Sequence, residues 1–334
     1  SWSTRAQMPA MKPLGGAEIS SLPTHAIVRR GDEAHRERGG LPALVPQHDD
    51  RRDGDGPGQR YAFYRPELNQ GAHERFKFES ALRRALERKE FLVVYQPIMS
   101  LETGLLCGFE ALIRWPHPVH GLISPMDFIP VAEETGMIVQ IGEWVLREAC
   151  RQVCEWRESG LGMVRVAVNV SYRQFLGDDL AAVVGGVLQE FGLPGAALEL
   201  EFTERVLIED APGTIKAFAD LRALGVMLTI DDFGEGYSAL NYLRRLPIHG
   251  LKLSQLFVHG VPGNNSDIAV CQAVAGIARS LGLGLVAEGI ESDAQRNFLL
   301  QLGVPIGQGF LFAPGLSADE FARRLDQPLP LVVA

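Results

Sequence analysis

The chain has 334 residues, 46% hydrophobic and 22% charged, with a formal net charge of −9. That balance suits a globular core, and the net charge argues against a basic nucleic-acid surface, so no DNA or RNA polymer is expected as a partner. An anionic small ligand stays open, because bound divalent cations would dominate the local field. Cys107, Cys150, Cys154 and Cys271 have no metal or redox spacing and read as small apolar fillers in a reducing compartment. No apolar run reaches the roughly 18 residues that a bilayer span needs, and there is no signal-peptide core. The expectation is a cytoplasmic chain without membrane insertion, although a longer parent protein could carry an anchor.

Residues 1–60 are rich in Gly, Pro, Arg and Asp and show no sustained apolar period. Such a stretch buries too little surface to offset its chain entropy, so it is expected to be largely disordered. Residues 61–75 read as a linker, 76–328 as one domain and 329–334 as a tail. The segment 76–90, FKFESALRRALERKE, has an apolar face and predicts an amphipathic helix. Strand-like runs follow at 91–97, 105–115, 164–170, 197–203, 226–231, 250–255, 284–288 and 305–312. Helical stretches at 126–158, 178–192, 211–224, 266–281 and 292–302 separate most of them. The first two strands are joined by a short turn and are expected to pair antiparallel. This alternation predicts an α/β fold, a modified (βα)8 TIM-like barrel with an antiparallel first strand. A doubly wound open sheet is the other topology the pattern allows.

Polar residues recur in or at the ends of these strands: Glu110, Asn169, Glu201, Asp231, Asp232, Lys252, Glu288 and Gln308. In such a barrel the C-terminal ends of the strands meet at one mouth. Asp232 alone reads most simply as a helix cap, but recurrence at nearly every strand end is hard to explain by capping. Carboxylates plus one amide oxygen form a hard-oxygen donor set suited to Mg²⁺ or Mn²⁺. Adjacent aspartates can serve two metals, the recurrent arrangement for phosphodiester hydrolysis. Lys252 either holds a hydroxide or phosphate or forms a structural ion pair. Asp232-Phe233-Gly234 spells a kinase triplet without the accompanying loops, and Gly282-x-Gly284-x-x-Ala287 precedes a strand where a dinucleotide fingerprint follows one. Trp115, Trp144 and Trp156 read as core residues.

These residues lie in motifs that resemble the EAL-domain cyclic di-GMP phosphodiesterases. Glu110-Ala111-Leu112 is the triplet that names the family, within GFEALIRWPHP. The likeness continues through YQPI (95–98), DFIPVAEETG (127–136), NVS (169–171), ELEFTE (199–204), DDFGEGYSAL (231–240), LKL (251–253), AEGIE (287–291) and QGFLF (308–312). It covers about residues 76–328 in the family's order. The resemblance implies cleavage of cyclic di-GMP to linear pGpG with two Mg²⁺ or Mn²⁺ ions per site. It assigns Glu110, Asn169, Glu201, Asp231, Asp232 and Glu288 to the metals. Glu110, Lys252 and Glu288 are assigned to the chemistry, Lys252 holding the hydrolytic water. Gln96, Leu112, Arg114 and Gln308 are assigned to the dinucleotide and the support of the site. Glu204 and Glu291 match supporting positions, Glu204 steadying the loop that starts at Asp231, which the family links to dimer contacts. A homodimer through this domain is therefore expected. RYAFYRPELN (60–69) resembles the junction between cyclase and EAL modules of tandem proteins, so residues 1–60 could be a remnant of an upstream module.

Two positions depart from the family's usual pattern. Glu235 stands where a small residue such as Thr or Ala is usual, and Ser254 stands where the Lys-Ile-Asp triplet has Asp. The other reading of the chain is a degenerate EAL domain that binds cyclic di-GMP without cleaving it. Glu235 is expected to oppose a substrate phosphate; the alternative is a loop clamp with Arg244 or Arg205.

Overall fold

The computed structural model describes residues 66–325, apart from 178, 208–211 and 237–242. The expectations for segment 1–60 and tail 329–334 lie outside the described residues.

Strands β1 (Leu92–Ser100) and β2 (Leu106–His117) form the expected antiparallel hairpin, with Gln96 opposite Glu110. From β2 the sheet continues through β4 (Arg165–Val170), β5 (Leu198–Thr203), β6 (Met227–Phe233), β7 (Gly250–Leu253), β8 (Gly284–Ala287) and β9 (Ile306–Gly307), each pair parallel. β9 then meets β1 antiparallel, which closes the ring. The fold is the modified (βα)8 barrel, with one reversed strand beside the parallel ones. A three-residue strand, β3 (Gly121–Ile123), pairs with the end of β2 outside the ring.

Strand alternation explains what faces where. In β4, β5 and β6, Val166, Val168, Leu200, Phe202, Leu228 and Ile230 are buried, and Val168 and Leu200 meet the outer helices. The intervening Ala167, Glu199, Glu201 and Thr229 face the barrel interior. Polar side chains at these positions are therefore forced inward: Glu199 and Thr229 bond each other near the strand starts, and Glu201 lies nearer the C-terminal ends.

The helices ring this barrel: α1 (Pro66–Glu87), α2 (Pro125–Thr135), α3 (Ile138–Glu158), α4 (Tyr172–Phe175), α5 (Leu180–Phe191), α6 (Pro212–Ala223), α7 (Gln255–Val258), α8 (Asn265–Leu281), α9 (Asp293–Leu302) and α10 (Ala318–Leu325). α1 begins inside the expected linker. The single helix expected over 126–158 is two helices, because Gly136 adopts a left-handed φ of 80° and its N–H bonds the Glu133 carbonyl, ending α2. The strand expected over 250–255 stops at Leu253, where the Ser254 side chain caps α7. The strand expected over 305–312 shrinks to two residues. Beyond it the chain wraps around Ile290, whose N–H bonds Gln308 O at 3.1 Å and whose carbonyl accepts Leu311 N–H at 2.9 Å. Gly309 (φ 155°) makes this approach possible: a Cβ there would lie 2.2 Å from the Ile290 backbone.

Trp115 is enclosed by Phe78, Phe91 and Phe128, and Trp156 by Tyr95, Phe109 and Phe321. Both are core residues, as the sequence suggests. All four cysteines are free thiols. Among the described residues no helix is long and apolar enough to cross a membrane.

Candidate active site

Each polar residue singled out in the sequence sits on the last residues of a strand or just beyond it, apart from Glu110, which lies within β2. Parallel register does the gathering. Asn169 lies beside Glu201, and Thr203 beside Asp231. Between β6 and β7 the register breaks from Ile230 to Phe233, so Asp231 and Asp232 leave the ladder together. Asp232 takes a left-handed φ of 51°, and its N–H donates to Asp231 Oδ1 at 3.0 Å. The pair is thereby turned so that both carboxylates reach the mouth.

Lys252 is the centre of the arrangement and is only 1% exposed. Its Nζ lies 2.6 Å from Glu288 Oε1, 2.8 Å from Glu201 Oε2, and 3.3 Å from both Glu110 Oε2 and Asp231 Oδ1. The ion-pair reading of Lys252 therefore describes it here, with four carboxylates and not one. Burial alone would lower its pKa; the surrounding carboxylates overcome this and hold it well above the ordinary value.

Five carboxylates against one ammonium leave an excess of negative charge. Burial, then the mutual repulsion of the carboxylates, raises Glu288 to about 8 in spite of Lys252. Asp232 is raised to about 6 by burial and by Asp231 and Glu235. Glu201 is pushed up by burial and its acidic neighbours. For Glu110 burial works in the same direction but loses to Lys252 and to hydrogen bonds from Gln308 and Asn169, so its carboxyl stays below the usual range.

The amides fix this carboxylate. Asn169 Nδ2 donates to Glu110 Oε1 at 2.6 Å, which leaves the amide oxygen as the atom it can offer a cation. Gln308 Nε2 donates to Glu110 Oε2 and, at 3.1 Å, to Glu288 Oε1. Oxygens of Asp231, Asp232 and Glu288 come within 4.8 Å of one another. Close hard oxygens, carrying more negative charge than Lys252 alone balances, are a donor set that fits a divalent cation.

Above them opens a cleft of about 640 Å³. Gln96, Glu110, Leu112, Arg114, Asp231, Asp232, Glu288, Glu291 and Gln308 all line it. Four further lining residues, Leu122, Met126, Gln255 and Phe310, carry no polar strand-end pattern, although Phe310 falls within the QGFLF motif. Leu122 stands on β3, too short to show a period, and Met126 and Phe310 are 86% and 69% exposed, which no burial pattern reveals. Glu204 lies off the cleft and accepts the N–H groups of Gly234 and Gly236 at 3.2 and 3.1 Å.

Glu235 departs from the sequence expectation. Its carboxylate accepts a hydrogen bond from the Ser254 hydroxyl, which holds it against the end of β7, and it does not line the cleft. The clamp alternative applies, but with a different partner: Arg205 instead lies over the Tyr172 ring.

A closed barrel whose mouth gathers carboxylates around one buried lysine is the class defined by this fold and site. The model of the EAL domain matches residues 79–315, and the chain belongs to that family. It is 42% identical over 260 residues to the bifunctional diguanylate cyclase/cyclic di-GMP phosphodiesterase MucR of Pseudomonas aeruginosa, covering 78% of this chain and 38% of that protein. It is 38% identical over 268 residues to the cyclic di-GMP phosphodiesterase PdeR of Escherichia coli, covering 80% of this chain and 40% of that protein. The chain thus spans about two fifths of the length of these relatives. Among solved structures, PaMucR phosphodiesterase in complex with c-di-GMP is 43% identical with a TM-score of 0.71, covering 73% of this chain and 99% of that one.

Proposed function

We propose that the domain over about residues 76–328 is a metal-dependent phosphodiesterase that hydrolyses cyclic di-GMP to linear pGpG. The observation that carries this reading is the convergence of Glu110, Glu201, Asp231 and Glu288 on Lys252, with Asp232 beside them, at the floor of a cleft large enough for a dinucleotide. The names of the relatives support the substrate. Glu110, Asn169, Glu201, Asp231, Asp232 and Glu288 would hold Mg²⁺ or Mn²⁺, which when bound supplies Lewis-acid activation of a water and neutralises phosphate charge.

The chain's own groups then have distinct tasks. Lys252 Nζ, fixed as a cation, orients the water and screens the anionic phosphate. Glu288, in its deprotonated form, receives the proton of the attacking water. The water oxygen joins phosphorus, the bond to the 3′ oxygen breaks, and that oxygen takes up a proton from solvent while Glu288 later returns its own. Gln308 holds Glu110 and Glu288 in place through one amide. Gln96, Leu112 and Arg114 line the wall where the dinucleotide would lie.

Incubating the purified chain with cyclic di-GMP and Mg²⁺ or Mn²⁺ tests the reading. pGpG should accumulate, excess chelator should stop it, and Ca²⁺, with longer and looser coordination, should restore it poorly. Tight binding of cyclic di-GMP with no pGpG under any of these metals would establish a receptor instead.

A further inference from the structure

The two positions at which this chain departs from the EAL pattern touch each other. Ser254 is fully buried immediately after Lys252-Leu253, and its hydroxyl is used twice: it donates to Glu235 Oε1 and accepts Leu256 N–H at 3.2 Å. Glu235 closes a turn that begins at Asp232, its N–H donating to the Asp232 carbonyl at 3.3 Å.

The backbone around Asp232 needs such support. Its left-handed φ of 51° is a conformation that residues other than glycine hold only when the surroundings enforce it. On one side the surroundings are Glu204, which gathers the N–H groups of Gly234 and Gly236. On the other side, backbone pairing between β6 and β7 ends at Phe233 opposite Leu253. Beyond that point, among the described residues, the Glu235–Ser254 bond continues the seam. The loop is therefore gripped from β5 by a carboxylate and from β7 by a hydroxyl.

We propose that Glu235 and Ser254 form a positioning clamp that locks the Asp232 turn against the strand carrying Lys252, and so sets the affinity of the carboxylate cluster for divalent metal. The proposal rests on the reading of that cluster as a metal site. It assigns Glu235 a role through its hydrogen bond and not through its charge, although the carboxylate also adds to the negative field at Asp232.

The test uses the full chain and reads Mn²⁺ affinity from the electron paramagnetic resonance of free Mn²⁺, with melting in chelator and pGpG formation measured beside it. Glu235→Ala and Ser254→Ala should each weaken Mn²⁺ binding by about tenfold, in the range for residues that orient metal ligands. The double variant should be no worse than the weaker single one, because both remove the same bond. Glu235→Gln, whose amide oxygen still accepts from Ser254, should bind Mn²⁺ almost as wild type does. Glu235→Ala removes an exposed side chain but leaves the buried Ser254 hydroxyl without its acceptor, so its metal-free melting temperature should fall by only a few degrees, and Mn²⁺ affinity is read well below it. Wild-type affinity in Glu235→Ala, additive losses in the double variant, or Glu235→Gln as weak as Glu235→Ala would each overturn the clamp. Wild-type protein that binds Mn²⁺ but forms no pGpG would overturn the phosphodiesterase reading alone, and the clamp would still be judged on the affinities. Wild-type protein that takes up no Mn²⁺ would overturn both.

Discussion

Replacing Lys252 by methionine removes the cation on which four carboxylates converge while keeping most of the side chain's volume. At separations of 2.6 to 3.3 Å, each pair is worth about 5–6 kcal/mol of gross attraction at an effective dielectric near 20. The net loss is smaller, because the cluster can take up a proton instead. Glu288 already holds its proton near pH 8, so a second glutamate such as Glu110, with an ordinary pKa of 4.5, must be protonated against a gap of about three pH units at pH 7.5, which costs about 4 kcal/mol. That agrees with the roughly 3–5 kcal/mol typical of breaking a buried pair from one side. The sign follows from linkage: the variant's folded state binds a proton that its unfolded state has released, so its deficit grows as pH rises from the ordinary carboxyl range. At pH 5.5 the same proton costs only about 1.4 kcal/mol. In chelator the variant should therefore melt about 8–16 °C below wild type at pH 7.5, taking about 2–4 °C per kcal/mol, and only a few degrees below it at pH 5.5. Saturating Mn²⁺ should restore much of the melting temperature without restoring turnover. Differential scanning calorimetry at the two pH values measures this. A variant that melts with wild type at pH 7.5 in chelator would refute the charge-balance reasoning.

Glu110→Ala should cut pGpG formation by at least about a hundredfold, the scale of losing one group from a preorganised electrostatic site. Its melting temperature in chelator should change little, since Lys252 keeps three other carboxylates. Gly309→Ala should destabilise the fold by roughly 2–4 kcal/mol, because its Cβ would meet Ile290 backbone at 2.2 Å, and should displace the neighbouring Gln308; urea melts check it. Glu204→Ala frees two glycine N–H groups and should weaken Mn²⁺ uptake by about tenfold, measured by titration calorimetry.

The barrel strands, the antiparallel hairpin and the identity of the polar residues at the mouth are legible along the chain. These follow from local rules: inward and outward alternation forces a polar residue on an otherwise buried strand to face the interior, and closure of the ring brings the strand ends together. Element limits were less legible where tertiary contacts override pattern. The apolar run at 305–312 looks like a strand, yet the chain folds around Ile290 as soon as Gly309 permits it. The helical period continues through 136, yet a left-handed glycine ends one helix there. β3 is too short to leave any period. The partners, by contrast, come from packing in space. That one lysine serves four carboxylates, that one glutamine holds a glutamate 198 positions away, and that Glu235 answers Ser254 are facts of proximity in space. Hydrogen bonds and ion pairs act over about 3 Å, and residue spacing along the chain does not encode distances of that order between separate strands.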